Sequence, residues 1–291
     1  MNLIQIEGAV ELGLIHGLVA IGVYITFRVI DFPDLTVDGS FPLGGAVTAS
    51  MIVAGMNPWL ATLVAVFCGA GAGCITGYLN LRWGILGLLA GILTMTGLYS
   101  INLRIMGRPN IPLLGAPTLF PENWNTLILL GVVVILLTAA VGYFLTTEMG
   151  LGVRATGVNP VVARAQGVSV KKMTYLMLAI SNGLVALAGA LFAQAEGFAD
   201  ITVGTGTIIV GLASVIIGEA IFQTRNVVLL VIGCVVGSIV YRIAIAFALN
   251  VGDYGLRASD LKLITALLIA LTMIVPKVRE KMRVRVGKEA S

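Results

Sequence analysis

The sequence predicts an all-α, polytopic membrane protein of about 8–10 transmembrane or re-entrant helices, arranged as an inverted-topology repeat. Three observations lead there. Of the 291 residues, 58% are hydrophobic and 11% charged, whereas soluble domains run near 45–50% apolar and about 25% charged. The mean hydropathy is +1.02. Apolar segments recur at 9–29, 43–56, 59–80, 84–103, 126–147, 173–194, 207–222, 227–249 and 261–275. And one short polar motif occurs twice, at residues 32 and 198.

The first segment follows Glu7 and Glu11 with no Lys or Arg before it. That is the wrong charge for a signal-peptide n-region, so the segment is expected to stay in the mature protein. Segments 43–56, 207–222 and 261–275 fall short of the roughly 20 residues that cross a bilayer. Short apolar segments beside polar Gly- and Pro-containing stretches read as broken or re-entrant helices. Apolar segments fill the chain, so 1–291 reads as a single transmembrane domain. The 36 glycines suit close helix packing in lipid. Gly69, Gly71 and Gly73 read as such a packing face and not as a nucleotide loop.

Basic residues set the orientation. Lys277, Arg279, Lys281, Arg283, Arg285 and Lys288 crowd the tail 276–291, and Arg154, Arg164, Lys171 and Lys172 the loop 148–172. Four segments separate them, an even number, so both are expected in the cytoplasm of a multi-pass inner-membrane protein. The turn near Arg82 then lies inside. The loop 107–125, with Pro109, Pro112, Pro117, Pro121 and Trp124, lies outside, as does the N-terminus. The basic tail is expected along anionic lipid headgroups.

The composition excludes several functions. Nothing suggests nucleic-acid binding. His16 is the single histidine, and no His/Cys cluster supports a metal. Cys68, Cys74 and Cys234 lie in apolar runs and read as buried thiols. No metal or cofactor is expected, and no catalytic residues. His16 reads as an interior polar contact or a functional group.

The duplicated motif is Phe32-Pro33-Asp34-Leu35-Thr36-Val37 and Phe198-Ala199-Asp200-Ile201-Thr202-Val203. Each copy follows a long apolar segment and precedes a short one. Tyr78 and Tyr241 fall at similar places in the next helices. This gives repeat 1 at about 9–103 and repeat 2 at about 173–275, with the first motif facing the cytoplasm and the second outside. An Asp at the centre of a lipid-facing helix costs about 2.5–3.5 kcal/mol. Asp31, Asp34 and Asp38 must therefore meet water, line a cavity, or pair with cations such as Arg28. They read as an ordinary solvated loop or as a re-entrant element beside a pathway. Phe32, Asp34, Thr36, Asp38, Phe198, Asp200 and Thr202 are the pathway candidates. Glu219 is expected to pair with Arg225 or to couple to gating. Arg242 reads as an ion-pair partner or a pathway residue.

In the loop 148–172, Asn159-Pro160 is a helix start: Asn caps free amides, and Pro at the first position loses no hydrogen bond. Residues 161–166 make about two turns, and Gly167 suits the left-handed position after the helix. Arg164 and Gln166 are expected outside, with Val162, Ala163 and Ala165 able to dock. So short a helix is not stable alone, and it reads as a surface helix on lipid or a docking element for a cytoplasmic partner.

The stretch "TGVNPVVARAQGVSV" resembles the coupling-helix loop of ATP-binding cassette (ABC) importer permeases of the branched-chain amino acid and ribose type. The residues that carry the likeness are Gly157, Asn159, Pro160, Ala163, Arg164, Gly167 and Val168. "DFPDLTVDGSFPLGGA" looks closest to a subgroup of amino-acid (tryptophan/tyrosine-like) uptake permeases. The resemblance implies ATPase coupling through Gly157, Asn159, Pro160, Ala163, Arg164 and Gly167. It also implies a homodimer, a cytoplasmic ABC ATPase subunit, an extracytoplasmic substrate-binding protein, and alternating-access import of an amino acid or similar small polar solute. The chain carries no G-x-x-x-x-G-K-[ST] phosphate loop, so ATP hydrolysis is expected in the partner. The alternative is an ion- or proton-coupled secondary transporter that uses the acids near residue 34.

Overall fold

The computed structural model describes residues 3–120 and 125–250. Pro121, Trp124, segment 261–275 and the basic tail lie outside the described residues. The described residues are mostly helical. In order come α1 (Leu3–Tyr24), a π-helical turn (Ile25–Val29), α2 (Val37–Val53), α3 (Pro58–Trp83) and α4 (Gly87–Met106). Then follow β1 (Asn110–Pro112), α5 (Thr126–Thr146), α6 (Glu148–Val158), α7 (Pro160–Ala165) and α8 (Val170–Glu196). β2 (Phe198–Asp200), α9 (Thr207–Phe222) and α10 (Val227–Asn250) complete it. Among the described residues, six helical stretches are long and apolar enough to cross a membrane, and α2 and α9 are the two shorter apolar helices.

α2 starts six residues before the apolar segment read from the sequence. Asp38, Ser40 and Pro42 hide its first turns from a hydropathy reading. They can be helical here because neighbouring helices satisfy them: Ser40 donates to the Asn182 side chain (2.7 Å), and the Asp38 carboxylate accepts from the start of α9.

α1 and α8 form the buried centre and touch each other. α8 also carries α2 and α3, while α1 carries α9 and α10. The contacts are close because glycines line them. A Cβ at Gly69 or Gly73 would overlap the α8 backbone at Asn182 and Leu178, while Gly71 meets nothing. Spacing i, i+4 thus puts two of the three glycines on one face. Gly69 meets Asn182 and Gly77 meets Tyr175, so α3 and α8 run antiparallel. The turn after Arg82 therefore lies at the same end as α6 and α7. β1 and β2 pair antiparallel (Asn110 with Asp200) at the opposite end. Cys234 is buried and Cys68 half-buried, but Cys74 is exposed on the outer face of α3, contrary to the reading of three buried thiols.

Candidate functional site

Three regions bear on function. The first is the basic loop. The Asn159 side chain accepts from the amides of Val161 (3.0 Å) and Val162 (3.1 Å), capping α7. Pro160 opens the helix, and Gly167 follows it at φ +84°. Only Ala163 is buried; Val161 and Val162 are 68% and 53% exposed, and Arg164, Ala165 and Gln166 are exposed too. The expected docking of Val162 and Ala165 inward does not occur. One short side chain anchors the helix, and its two valines point away from the protein. α6 leads into it and packs on the π-helical turn. At that contact Gly157 sits so close to Val29 that a Cβ would overlap the Val29 carbonyl.

The second region is the pair of duplicated motifs. In both copies the Asp side chain accepts from the amide two residues on: Asp34 from Thr36 at 2.9 Å, Asp200 from Thr202 at 2.7 Å. The sequence likeness is therefore a likeness of turn geometry. Their surroundings differ. Asp34 is fully buried and accepts a second bond from Asn182 (2.7 Å). Thr36 shares a hydroxyl contact with Thr76 (2.6 Å), which reaches Thr94. Phe32 packs under Gly87. Asp31 sits at φ +52°, a left-handed conformation that Asp tolerates better than most residues. The π-helical turn before it is a rare geometry that marks functional sites in other proteins.

The second copy lies at the β1–β2 end. Asp200 is half-buried, and its carboxylate also accepts from Asn110 (3.2 Å). Burial pushes its pKa up, but the hydrogen bonds from Thr202 and Asn110 outweigh that and hold it below the usual carboxylate range. Phe198 stacks edge-on against Phe192, with ring centres 6.1 Å apart.

Asp38 joins the two halves. Its carboxylate accepts from the amides of Gly206 (3.0 Å) and Ile208 (2.7 Å) at the start of α9. Free amides and the helix dipole there favour a negative charge. Asp34 and Asp38 thus spend their oxygens on protein donors. Glu219 does not pair with Arg225. It forms an ion pair with Arg28, because α9 packs on α1 and Gln223, at φ +39°, turns the chain out of α9 before Arg225.

The third region is a cavity of about 330 Å³ at the β1–β2 end. Its lining includes His16 of α1, Phe192 and Glu196 of α8, Thr207 and Val210 of α9, and Arg242 of α10. His16 Nδ1 lies 2.9 Å from the Leu12 carbonyl and Nε2 lies 2.6 Å from Arg242 Nη2. A carbonyl only accepts and a guanidinium only donates, so Nδ1 carries the proton, Nε2 accepts, and the ring is neutral. None of the seven pathway candidates lines this cavity, although Phe198 abuts its Phe192 wall. Sequence reasoning leaves the roles of Arg242 and His16 open and misses Glu196, whose only signal is an acid at the end of a long apolar run.

Comparisons with known proteins agree with this architecture. A family profile described as "Branched-chain amino acid transport system / permease component" matches residues 5–275. A tyrosine transport system permease protein of Clostridioides difficile is 38% identical over 256 residues, 88% of this chain and 86% of that one. A ribose import permease protein of Haemophilus influenzae is 25% identical over 203 residues, 65% of this chain and 61% of that one. A solved metal-chelate type ABC transporter in an inward-facing conformation shares the fold, with a TM-score of 0.54 at 16% identity, covering 94% of this chain and 85% of that one. PsaBC from Streptococcus pneumoniae, solved with a Fab, gives 0.53 at 14% identity, with 92% and 89% covered. The chain belongs to the family of branched-chain amino acid transport system permease components, a transport subunit of an ABC importer whose ATP hydrolysis lies in a separate subunit.

Proposed function

We propose that this permease works as a homodimer, imports an amino acid or similar small polar solute, and takes its ATP-driven motion through residues 159–167. The observation that carries the coupling role is the Asn159-capped helix, held by Ala163 alone with Val161, Val162 and Arg164 exposed. An amphipathic helix with its apolar side turned away from its own protein suits a groove on a partner. In this reading the partner is the ABC ATPase, and the loop end of the molecule faces the cytoplasm, as does the C-terminus. An extracytoplasmic binding protein delivers solute at the β1–β2 end. The identity to a tyrosine permease supports an amino acid as solute.

The chain in this reading holds an inverted repeat, 9–103 against 173–275. Three features support it. Both motifs form the same Asp turn. The packing is exchanged: α8 carries α2 and α3, and α1 carries α9 and α10. And the starts of α2 and α9 meet at Asp38, inside the protein, as expected of broken helices at a midplane.

Motion then has a physical route. A shift of α7 moves α6. Gly157 presses on Val29, the π-helical turn rotates, and the 31–36 segment carries the start of α2. Asp38 passes that displacement to α9. The acids hold the hinge together in this mechanism and need not bind solute, and the family assignment favours the ATP-driven reading over a gradient-driven one.

The test is purification from the native membrane with mass spectrometry of the partners, for wild type and Arg164→Glu. An ABC ATPase that comes with wild type and is lost or weakened in the variant supports the proposal. An ATPase held equally by both overturns the assigned docking helix. No ATPase in either preparation overturns the proposal as a whole.

A further inference from the structure

The cavity at the β1–β2 end carries opposite charges that do not meet. Arg242 and Glu196 both line it. Among the described residues the only ion pair is Arg28 with Glu219. Arg242 is tethered by one nitrogen to neutral His16, and its Nε is covered by protein yet has no hydrogen-bond partner. A guanidinium with a covered, unpartnered Nε–H and no carboxylate in contact is costly, and a carboxylate is its best geometric match. Glu196, the last residue of α8, is exposed, and Glu11 lies within range of its charge. That corner is therefore acidic and attracts an ammonium group. The Phe192 ring and Val210 also line the cavity. A cavity of about 330 Å³ is at the small end of the range for ligand sites.

We propose that this cavity is a transient binding site for a zwitterionic α-amino acid with an apolar or aromatic side chain, its carboxylate held by Arg242 and its ammonium by Glu196. His16 is a positioning residue. It takes one guanidinium N–H without neutralising the charge, and its own bond to Leu12 fixes the ring. The site lies at the far end of α8 from the α7 helix, and the 27 residues of α8 span about 40 Å. It therefore opens where a binding protein would release its solute. The inference rests on the permease reading and names the solute class within it.

The experiment uses the full chain in lipid nanodiscs and equilibrium binding of radiolabelled L-tyrosine and L-leucine. Competitors are the methyl ester of each, which lacks the carboxylate, and the N-acetyl form, which lacks the ammonium. Wild type is expected to bind at least one amino acid and to prefer it about tenfold or more over both analogues, the scale of one charge-assisted hydrogen bond. Arg242→Gln should lose discrimination against the ester and keep it against the N-acetyl form, and Glu196→Gln the reverse. If neither amino acid binds wild type, or both analogues bind as well as the parent, the site is refuted. The wild-type series decides this alone, so a variant that fails to fold does not obscure it. ATPase association is measured on the same preparation. ATPase without amino-acid binding overturns the site and spares the permease reading, whereas no ATPase overturns that reading itself.

Discussion

The Asp38 carboxylate on α2 lies 2.7 Å from the Ile208 amide on α9, 170 residues away in the chain. One acid in one half of the protein closes the open end of a helix in the other. With its second bond to Gly206, it ties the two short helices at their starts. Asp38→Asn keeps one acceptor but loses the charge and one bond. We expect a loss of about 1–2 kcal/mol, the usual worth of a helix cap, read as a lower unfolding midpoint in detergent. Unchanged stability would mean that α9 is capped another way.

Asn182 links Asp34 and Ser40 in a fully buried cluster. Asn182→Ala leaves Ser40 without its acceptor and removes one of the two bonds to the Asp34 carboxyl group. The expected cost is about 1–3 kcal/mol, because buried polar groups that lose a hydrogen-bond partner keep their desolvation penalty. Asn182→Asp should be worse still, since it sets two acids together. Expression level and thermal melting check both.

Arg28 and Glu219 pair at a partly exposed site, with side chains 53% and 27% accessible. Such pairs contribute little. A double-mutant cycle with Arg28→Ala and Glu219→Ala should give a coupling of about 0.2–1 kcal/mol, falling as salt rises. A coupling above about 2 kcal/mol would show that the pair is shielded in the working assembly.

Gly157 tests the transmission route. A methyl there overlaps the Val29 carbonyl, so Gly157→Ala should push α6 away from the π-helical turn. We expect ATPase binding to survive and ATP-driven uptake in proteoliposomes to fall about tenfold or more, a barrier change of about 1.4 kcal/mol. Normal uptake would exclude this contact from coupling.

Asp200 predicts an acid effect with a definite sign. Its pKa is held below the usual carboxylate value by Thr202 and Asn110. The stability it adds is present above its unfolded pKa, near pH 4, and is lost as pH falls through the folded pKa. Wild type should therefore exceed Asp200→Ala in stability at neutral pH, and the two should converge in acid. A difference that grows on acidification would contradict the assigned hydrogen bonds.

Much was legible in the chain itself. Hydropathy run length marked the six long spans and flagged α2 and α9 as short, because lipid demands about 20 apolar residues whatever the packing. Asn159, Pro160 and Gly167 announced the α7 helix, because capping is a local matter of free amides and backbone angles. The hexapeptides at 32 and 198 marked equivalent turns, since an Asp that bonds two residues ahead needs no distant partner.

The tertiary structure decided the rest, wherever the partner lies far away in sequence. The acids at 34 and 38 are pathway candidates by sequence, and their partners Asn182, Gly206 and Ile208 are known only from the packing. Glu219, expected to pair with Arg225 or to couple to gating, pairs with Arg28 because α9 packs on α1. His16, Glu196 and Arg242 sit on three different helices, and no spacing rule relates them. A helix writes its own caps and its own length, but the side chains it meets across a long-range contact depend on how every other helix packs.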